Sequence, residues 1–406
     1  MKSEEYRLYP YRWVVLAAFM FINLMIQVLW ISYSPVTKDA ASFFGATDLK
    51  IGLLAMVFMI AFLPFSIPAS WAIDSLGFRK AVGVGALMMG IFGFLRGFAG
   101  SNYTLVLLCT IGIAIAQPFL MNSWTTLPAH WFEKEFRATA VGLITLSSLL
   151  GIALAMAITP MLYEKLGNLA TVQMVYGSVG LVAAILFISL ARNDPPTPPC
   201  VDDQTTRALV LDGLKSLVKT KMFWLLAFIQ FMGMAIFNGI TTWIEPIVRG
   251  RNYNSEQAGY FGALMLVGGV IGAVVLPSFS DKEHKRRKYL LIGLAVAIPF
   301  LIGLTYLSSY AGLLVSSFGL GFFLTACNPI IMQFATEVTF PVPEGTSNGL
   351  LQLCGQISVV YVYLMSAMKT ANGSFTPSMI LAAVLLVGCV FVSLFLKDPK
   401  PIARKV

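Results

Sequence analysis

Twelve long apolar segments dominate this sequence of 406 residues and limit the folds available to it. A helix needs about 20 apolar residues to cross the hydrocarbon core of a bilayer. With 57% hydrophobic and 12% charged residues, the composition excludes a soluble domain. The sequence therefore predicts an all-α integral membrane protein with twelve transmembrane helices, at residues 12–34, 49–73, 81–99, 103–127, 137–161, 170–191, 222–247, 257–279, 289–309, 312–335, 346–368 and 376–396.

A polar stretch, residues 193–220, separates the first six segments from the last six. Four prolines between Asp194 and Pro199 exclude a continuing helix, because proline lacks the amide donor and clashes with the preceding turn. After Thr205, apolar and cationic residues recur at helical spacing, which predicts a short amphipathic helix on a membrane surface. We expect an N-terminal six-helix bundle at residues 1–192, this linker, and a C-terminal six-helix bundle at residues 221–406.

Basic residues predict the orientation in the membrane. Of the 28 lysines and arginines, 21 lie in the termini, the linker and the loops on their side, and 7 lie on the other side. Because cytoplasmic loops are enriched in these residues, we expect both termini and the linker to be cytoplasmic, in the plasma (inner) membrane. The same loops explain the net charge of +9, so anionic lipid is the expected partner and nucleic acid is not.

Other kinds of site find little support in the sequence. The five cysteines show no paired spacing and there are only two histidines, so we expect no metal, haem or other cofactor. No nucleophile, base and oxyanion-binding group converge, which argues against an enzyme. No obligatory protein partner is evident, and a monomer is expected.

The first segment carries Asn23, Gln27, Trp30 and Ser34 at intervals of four, three and four, which places them on one helical face. A polar stripe in lipid is costly unless it faces a water-filled cavity or another helix. Both interpretations stay open: a substrate cavity or interhelical hydrogen bonds. Further candidates for cavity-lining residues on the second and fourth segments are Met56, Met59, Gln117, Met121 and Trp124.

Charged residues in the loops on the linker side form a repeated pattern. Asp74, Gly77, Arg79 and Lys80 fall between the second and third segments, and Arg137 opens the fifth. An acid at the end of one span and cations at the start of the next can pair when that face closes and separate when it opens. The second half repeats the pattern without the glycine, and Glu337 is expected to pair with loop cations; the residues concerned are Asp281, Arg286, Glu337 and Glu344.

These loop motifs resemble the signatures of the major facilitator superfamily: the D-x-x-G-R-[KR] core after helix two and, in part, the entry into helix five. The resemblance implies two pseudo-symmetric bundles of six helices and alternating access. Within that superfamily, residues 321–356 resemble the feline leukaemia virus subgroup C receptors, through G-F-F-L-T, F-A-x-E before T-[FY]-P, and E-G-x-S-x-G-L-L before a glutamine.

That receptor family is known for transport of choline and ethanolamine, with haem export also claimed, and holds choline in an aromatic cage. The resemblance assigns the cage tryptophan to Trp30, the cage tyrosine to Phe237 and a ligand glutamine to Gln356. A second family glutamine falls at about Leu149 and is absent here. Thr241, one turn after Phe237, completes the expected substrate-binding residues.

We therefore expect an alternating-access transporter of a small organic solute, choline or a related amino alcohol or quaternary amine, working as a facilitative uniporter. Aromatic faces suit a quaternary ammonium, which cannot donate a hydrogen bond. The alternative is a proton-coupled transporter of an organic anion, with Arg96 holding its carboxylate, or of a haem-type cargo. Glu245, near the outer end of the seventh segment, is a candidate entrance charge or proton-coupling residue.

Overall fold

The computed structural model of the chain describes residues 8–197, 217, 219–339, 342 and 344–398; side chains are described for these except at residues 134, 135, 138 and 344–346. Every regular element among the described residues is a helix. Twelve helical stretches are long and apolar enough to cross a bilayer, six before the linker and six after it. This confirms the predicted fold class.

The chain divides into two compact units, Met1–Asp203 and Gln204–Val406. The helices of the first unit are α1 (Tyr11–Ile31), α2 (Thr37–Phe44), α3 (Asp48–Leu76), α4 (Phe78–Phe98), α5 (Tyr103–Met121), α6 (Thr126–Trp131), α7 (Lys134–Leu166) and α8 (Leu169–Leu190), with a short 3-10 helix at Ser34–Val36.

The second unit contains α9 (Lys221–Arg249), α10 (Ser255–Glu283), α11 (Arg286–Tyr306), α12 (Tyr310–Thr339), α13 (Glu344–Gln356), α14 (Val359–Ala367) and α15 (Thr376–Leu394). Together α13 and α14 form the eleventh predicted span, which is interrupted at Ile357 and Ser358.

Apolar side chains cover the outer surface of both units, the reverse of a soluble protein. Ile67, Trp71, Val274 and Phe395 are 65–73% exposed. Contiguous exposed apolar surface marks contact with another apolar phase, and here it lies on helices of membrane-spanning length. The chain is therefore a multi-pass membrane protein.

Glycines set the closest helix contacts in the first unit. A Cβ at Gly177 of α8 would lie 2.3 Å from the carbonyl oxygen of Gly93 on α4, and a Cβ at Gly151 of α7 would lie 2.3 Å from the carbonyl oxygen of Leu24 on α1. Only glycine permits such an approach, and close backbone packing drives helix association in lipid. The helix that carries Trp30 is fixed against α7 in this way.

The beginning of the predicted linker packs on the first unit. The Oδ1 atom of Asp194 lies 2.5 Å from Nδ1 of His130, the Nε1 of Trp131 donates to the carbonyl oxygen of Asn193 at 3.2 Å, and Thr197 contacts the Tyr9 hydroxyl at 3.2 Å. The predicted amphipathic helix falls almost entirely on residues outside the described part of the chain.

Candidate functional site

Trp30 lies in the last turn of α1 and is buried. The helix ends one residue later, before the 3-10 helix Ser34–Val36 with a proline in its first turn, and proline cannot supply the amide that a continuing helix needs. The indole Nε1 donates a hydrogen bond to the carbonyl oxygen of Ala55 on α3 at 3.1 Å. The ring is thereby held against the segment of α3 that carries the buried Met56 and Met59.

Arg96 on α4 is 1% exposed and lies against the C-terminal end of α1. Its Nη1 donates to the carbonyl oxygen of Leu29 at 3.0 Å, and its Nη2 donates to Oε1 of Gln173 at 2.5 Å and to the Ser32 hydroxyl at 3.3 Å. The ring of Tyr33 lies 5.2 Å from the guanidinium carbon. Because the last carbonyls of a helix lack partners and form the negative end of its dipole, they stabilise a buried guanidinium without a carboxylate.

This environment does not favour Arg96 as the ligand of a transported carboxylate. The described partners of its guanidinium come from α1, α8 and the residues just after α1, and the side chain is enclosed. Arg96 acts instead as a positioning residue for the end of α1. Its partner Gln173 was missed in the sequence, although it is the only amide side chain in the sixth apolar segment.

The fully buried Asn23 uses both ends of its amide within the first unit. Its Nδ2 donates to the carbonyl oxygen of Phe19 at 2.9 Å, and its Oδ1 accepts from Nε1 of Trp124 at 2.6 Å. Trp124 lies in the turn between α5 and α6. For these two residues the structure favours interhelical hydrogen bonding, one of the two interpretations that the sequence left open.

Gln27 and Gln117 are the two other buried amides of this set. Gln27 lies where α1 packs against α7, 3.1 Å from where a Cβ at Gly151 would be. The buried Oε1 of Gln117 accepts no hydrogen bond from any described residue, and an unsatisfied buried acceptor costs about 1–3 kcal/mol. It is therefore a position at which a ligand hydroxyl would be stabilised. Met121, one turn later on α5, is half-buried.

We call these first-unit residues the first candidate cluster: Asn23, Gln27, Trp30, Met56, Met59, Gln117, Met121 and Trp124. The second candidate cluster comprises the half-buried Phe237, the buried Thr241 on the same helix α9, and the buried Gln356 at the end of α13. The Thr241 hydroxyl donates to the carbonyl oxygen of Phe237.

The interruption of the eleventh span is fixed to α9 next to Gln356. Nδ2 of Asn238 donates to the hydroxyl of Ser358 at 2.9 Å, two residues after Gln356. The residue before Asn238 is Phe237, so this hydrogen bond brings the helices of the second cluster together. Sequence reasoning missed Asn238 and Ser358; a polar residue in the middle of each apolar segment was the available signal.

A second irregularity lies in α9, where Trp243 leaves the helical conformation with φ −106° and ψ 19°. Pro246 explains it, because a proline removes the amide donor and clashes with the carbonyl four residues earlier. The Trp243 indole donates to the carbonyl oxygen of Val362 on α14 at 2.9 Å. Interrupted helices of this kind frame the binding sites of many transporters.

Glu245 departs from the expected entrance charge. It is 2% exposed, and both of its carboxylate oxygens accept from Arg249, Oε1 from Nε at 2.9 Å and Oε2 from Nη2 at 2.6 Å. A buried, bidentate ion pair offers no free negative charge to an arriving cation, so the entrance role is corrected. The spacing of four residues on a helix already allowed this pair.

In the first unit, the predicted latch is organised around the turn between α3 and α4. Gly77 has φ +86°, a conformation that favours glycine. The amide of Arg79 donates to Oδ1 of Asn193 at 2.7 Å, and its Nη2 donates to the carbonyl oxygen of Ile188 near the end of α8 at 3.0 Å. Arg79 therefore joins α4 to α8 within the first unit.

The other latch residues of this unit lie near the same side. Asp74, in the last turn of α3, and Lys80 are exposed. The guanidinium of Arg137 donates to the carbonyl oxygens of Ala129 at 2.9 Å and Phe132 at 3.1 Å. Arg137 thus satisfies carbonyls at the C-terminus of α6, where a cation is favoured.

In the second unit, a buried Arg286 connects two carboxylates. It pairs with Asp281 at the end of α10 and with Glu337 on α12, whose Oε1 lies 2.9 Å from Nη2 of Arg286. Gln333 donates to the same Oε1 at 2.9 Å. The turn that lacks the glycine contains His284 with φ 53°, so a histidine adopts the left-handed conformation here. The side chain of Glu344 lies outside the described residues.

Comparison with known proteins agrees with this architecture. The family model of the Major Facilitator Superfamily matches residues 14–363. Solute carrier family 49 member A3 of Xenopus tropicalis is 30% identical over 399 residues, covering 92% of this chain and 81% of that protein. The choline/ethanolamine transporter flvcr2b of Danio rerio is 24% identical, covering 98% of this chain and 86% of that protein.

Among solved structures, the chain is similar to a bacterial homolog of the human lysosomal transporter Spinster in an inward-facing, unoccupied conformation. The TM-score is 0.77 at 17% identity, and the match covers 97% of this chain and 99% of that chain. At this identity the similarity supports the fold alone. Together with the family match over most of the chain, it shows that this protein is a transporter belonging to the major facilitator superfamily.

Proposed function

We propose that this transporter carries choline or a related amino alcohol or quaternary amine. The observation that carries the proposal is the chemistry of the two candidate clusters: their side chains are aromatic rings, thioethers, a hydroxyl and neutral amides, with no formal charge among them. Relatives such as flvcr2b, which match nearly the whole chain, are named choline/ethanolamine transporters. Absence of the glutamine at Leu149 distinguishes this chain from the family pattern and bears on which amine it prefers.

Aromatic faces supply the recognition of the cation. Trp30 and Phe237 would each contribute roughly 0.5–2 kcal/mol by cation–π attraction. At about 1.4 kcal/mol per tenfold change in affinity, two rings give about fivefold to several hundredfold. That range suits a transporter, which must also release its cargo. The amides of Gln117 and Gln356 would bind the substrate hydroxyl, since an amide both donates and accepts.

A ligand screen tests this assignment. Purified protein in detergent is melted with choline, ethanolamine, a small carboxylate or a porphyrin, because a ligand that binds the native state stabilises it by about 2.7 kcal/mol at one hundred times its dissociation constant. We expect a higher melting temperature with choline or ethanolamine. A shift with the carboxylate or the porphyrin alone would contradict the proposal.

The transport mode that we propose is facilitative uniport by alternating access, with both termini cytoplasmic in the plasma (inner) membrane and a monomer as the working unit. A reporter fused to the C-terminus, read from each side of the membrane, tests the orientation. A proton-coupled transporter of an organic anion or haem-type cargo is the second candidate. The observation in its favour is the buried carboxylate of Glu245, since ionisable groups within spans often serve proton relays.

The charge cluster of Arg286, Asp281 and Glu337 would act as a latch whose pairs form in one access state and break in the other. Glu337→Gln removes one charge from this cluster, and we expect it to slow choline uptake while leaving affinity in detergent unchanged. Glu283→Gln is the control, because Glu283 is more exposed and pairs with Lys288 at 2.8 Å in the same region. Equal uptake by both variants would leave the cluster no gating role.

A further inference from the structure

A cavity of about 440 Å³ opens in the second unit, where α9, α11 and the loop between α14 and α15 end on the side away from the linker. Its lining includes Arg249, Arg251 and Lys369, and none of its lining residues carries a carboxylate. The proposed choline site uses none of these residues. We call this cavity the basic pocket.

Arg251 is half-buried in the short loop after α9. Its Nη1 donates to the carbonyl oxygen of Leu304 at 2.8 Å, and its Nη2 donates to that of Thr305, so it satisfies the last carbonyls of α11. Burial lowers the pKa of this guanidinium below its ordinary value, because desolvation disfavours the charged form. An anion in the pocket would offset that desolvation.

Two further features add positive potential. The Nζ of Lys369, in the loop after α14, lies 5.5 Å from the ring centroid of Phe375. Phe375 immediately precedes α15, a helix of 19 residues, and supplies no side-chain cap. The start of such a helix carries about half a positive charge. Glu245, behind Arg249, balances one of the three basic residues, which leaves the lining positive.

We propose that the basic pocket binds a phosphate-type oxyanion, either free or as the headgroup of an anionic lipid. Arginine and lysine together with the hydroxyls of Ser374 and Thr376 give the donors that phosphate oxygens accept from. The volume exceeds that of a bare phosphate, so a substituted phosphate also fits. The bound anion would hold the end of α9 against α11 and α15, and it would therefore stabilise the second unit.

Thermal melting of the full-length protein in detergent tests the free-anion source. The probe is inorganic phosphate, compared with chloride at equal ionic strength. We expect phosphate to raise the melting temperature, and Lys369→Gln to weaken the phosphate dissociation constant about tenfold, as expected for loss of one charge-assisted contact. The control is Lys165→Gln, which removes the same charge from an exposed position at the end of α7.

Nanodiscs of phosphatidylcholine with or without phosphatidylglycerol test the lipid source. Stabilisation by phosphatidylglycerol but not by inorganic phosphate, reduced in Lys369→Gln and kept in Lys165→Gln, assigns the pocket to a headgroup. Stabilisation by inorganic phosphate with the same variant pattern assigns it to a free anion. Equal melting in phosphate and chloride together with equal melting in both nanodiscs would overturn the proposal. Equal losses in Lys369→Gln and Lys165→Gln would do the same.

Discussion

Trp30 is the side chain on which the proposed cation site depends most. Trp30→Ala removes the ring, and we expect it to abolish choline binding measured by calorimetry on purified protein. Trp30→Phe keeps a ring of lower cation affinity, so part of the binding should remain. Both changes remove the hydrogen bond to Ala55, which contributes about 0.5–1.5 kcal/mol to folding, so melting temperatures are measured in parallel.

Trp71→Ala is the matched control, because Trp71 lies on the lipid-facing surface and is 68% exposed. The same deletion of an indole there should leave choline affinity unchanged. Normal binding by folded Trp30→Ala would rule out the aromatic site.

Gln117 permits a test of hydroxyl recognition. Gln117→Leu replaces the buried, unpaired carbonyl with an apolar group of similar size, so the melting temperature without ligand should stay the same or rise. We expect choline affinity to fall about tenfold, the worth of one hydrogen bond. Propyltrimethylammonium, in which a methyl group replaces the hydroxyl, should bind the variant and the original protein equally. Equal weakening of both ligands would show that Gln117 does not read the hydroxyl.

The polar stripe of the first span was only partly predictable. Helical spacing placed Asn23, Gln27 and Trp30 on one face, and all three are buried on α1. Ser34 lies beyond the end of that helix, in the 3-10 helix. What the spacing could not indicate is the use of each polar atom, because the partner of Asn23 is Trp124, 101 positions away.

The end of α1 depends on Arg96, whose fork binds three oxygen atoms. Arg96→Lys keeps the charge but not this planar geometry, so we expect the melting temperature to fall by several degrees. Choline affinity, measured at a temperature where the variant is folded, should change less than about threefold, since Arg96 contacts no candidate ligand residue other than through the end of α1. A large loss of affinity with unchanged stability would make Arg96 a ligand, as the organic-anion alternative requires.

Helices as elements were predicted well wherever lipid enforces them. Each span must satisfy its own backbone groups in the bilayer, so apolar length is a local signal that hydropathy detects. Interruptions are not local signals. The eleventh span reads as one segment, 346–368, and its break depends on Asn238, which lies 120 positions from Ser358. The break in α9 was more accessible, because Pro246 marks it in the sequence.

The repeated halves were predictable in arrangement but not in contacts. Asp281 and Arg286 stand 207 positions after Asp74 and Arg79, yet Arg286 pairs with carboxylates while the Arg79 guanidinium binds a backbone carbonyl. Duplication conserves the backbone course and lets side chains diverge. The two units therefore hold similar helices with different charge networks, which sequence spacing alone does not distinguish.

Energy coupling belongs to the whole transporter, and Glu245 decides between its two modes. A cation carried by uniport gains about 2.3 kcal/mol per charge per 100 mV from the membrane potential and needs no proton. Because Glu245 neutralises Arg249, Glu245→Gln leaves an added positive charge near the outer end of α9. We expect this charge to repel the cation and lower uptake by less than about tenfold, or about 1.4 kcal/mol, with unchanged pH dependence.

Proteoliposomes with the potential and the pH gradient imposed separately provide the measurement, and counterflow reports transport without either. Glu164→Gln is the control, since Glu164 is an exposed acid near the end of α7. Under uniport, a potential alone accumulates choline in the original protein and in both variants, because the driving force acts on the charge of the cargo and not on a protein carboxylate. Accumulation driven by the pH gradient alone, and lost only in Glu245→Gln, would instead make the buried Glu245–Arg249 pair the proton site of a coupled transporter.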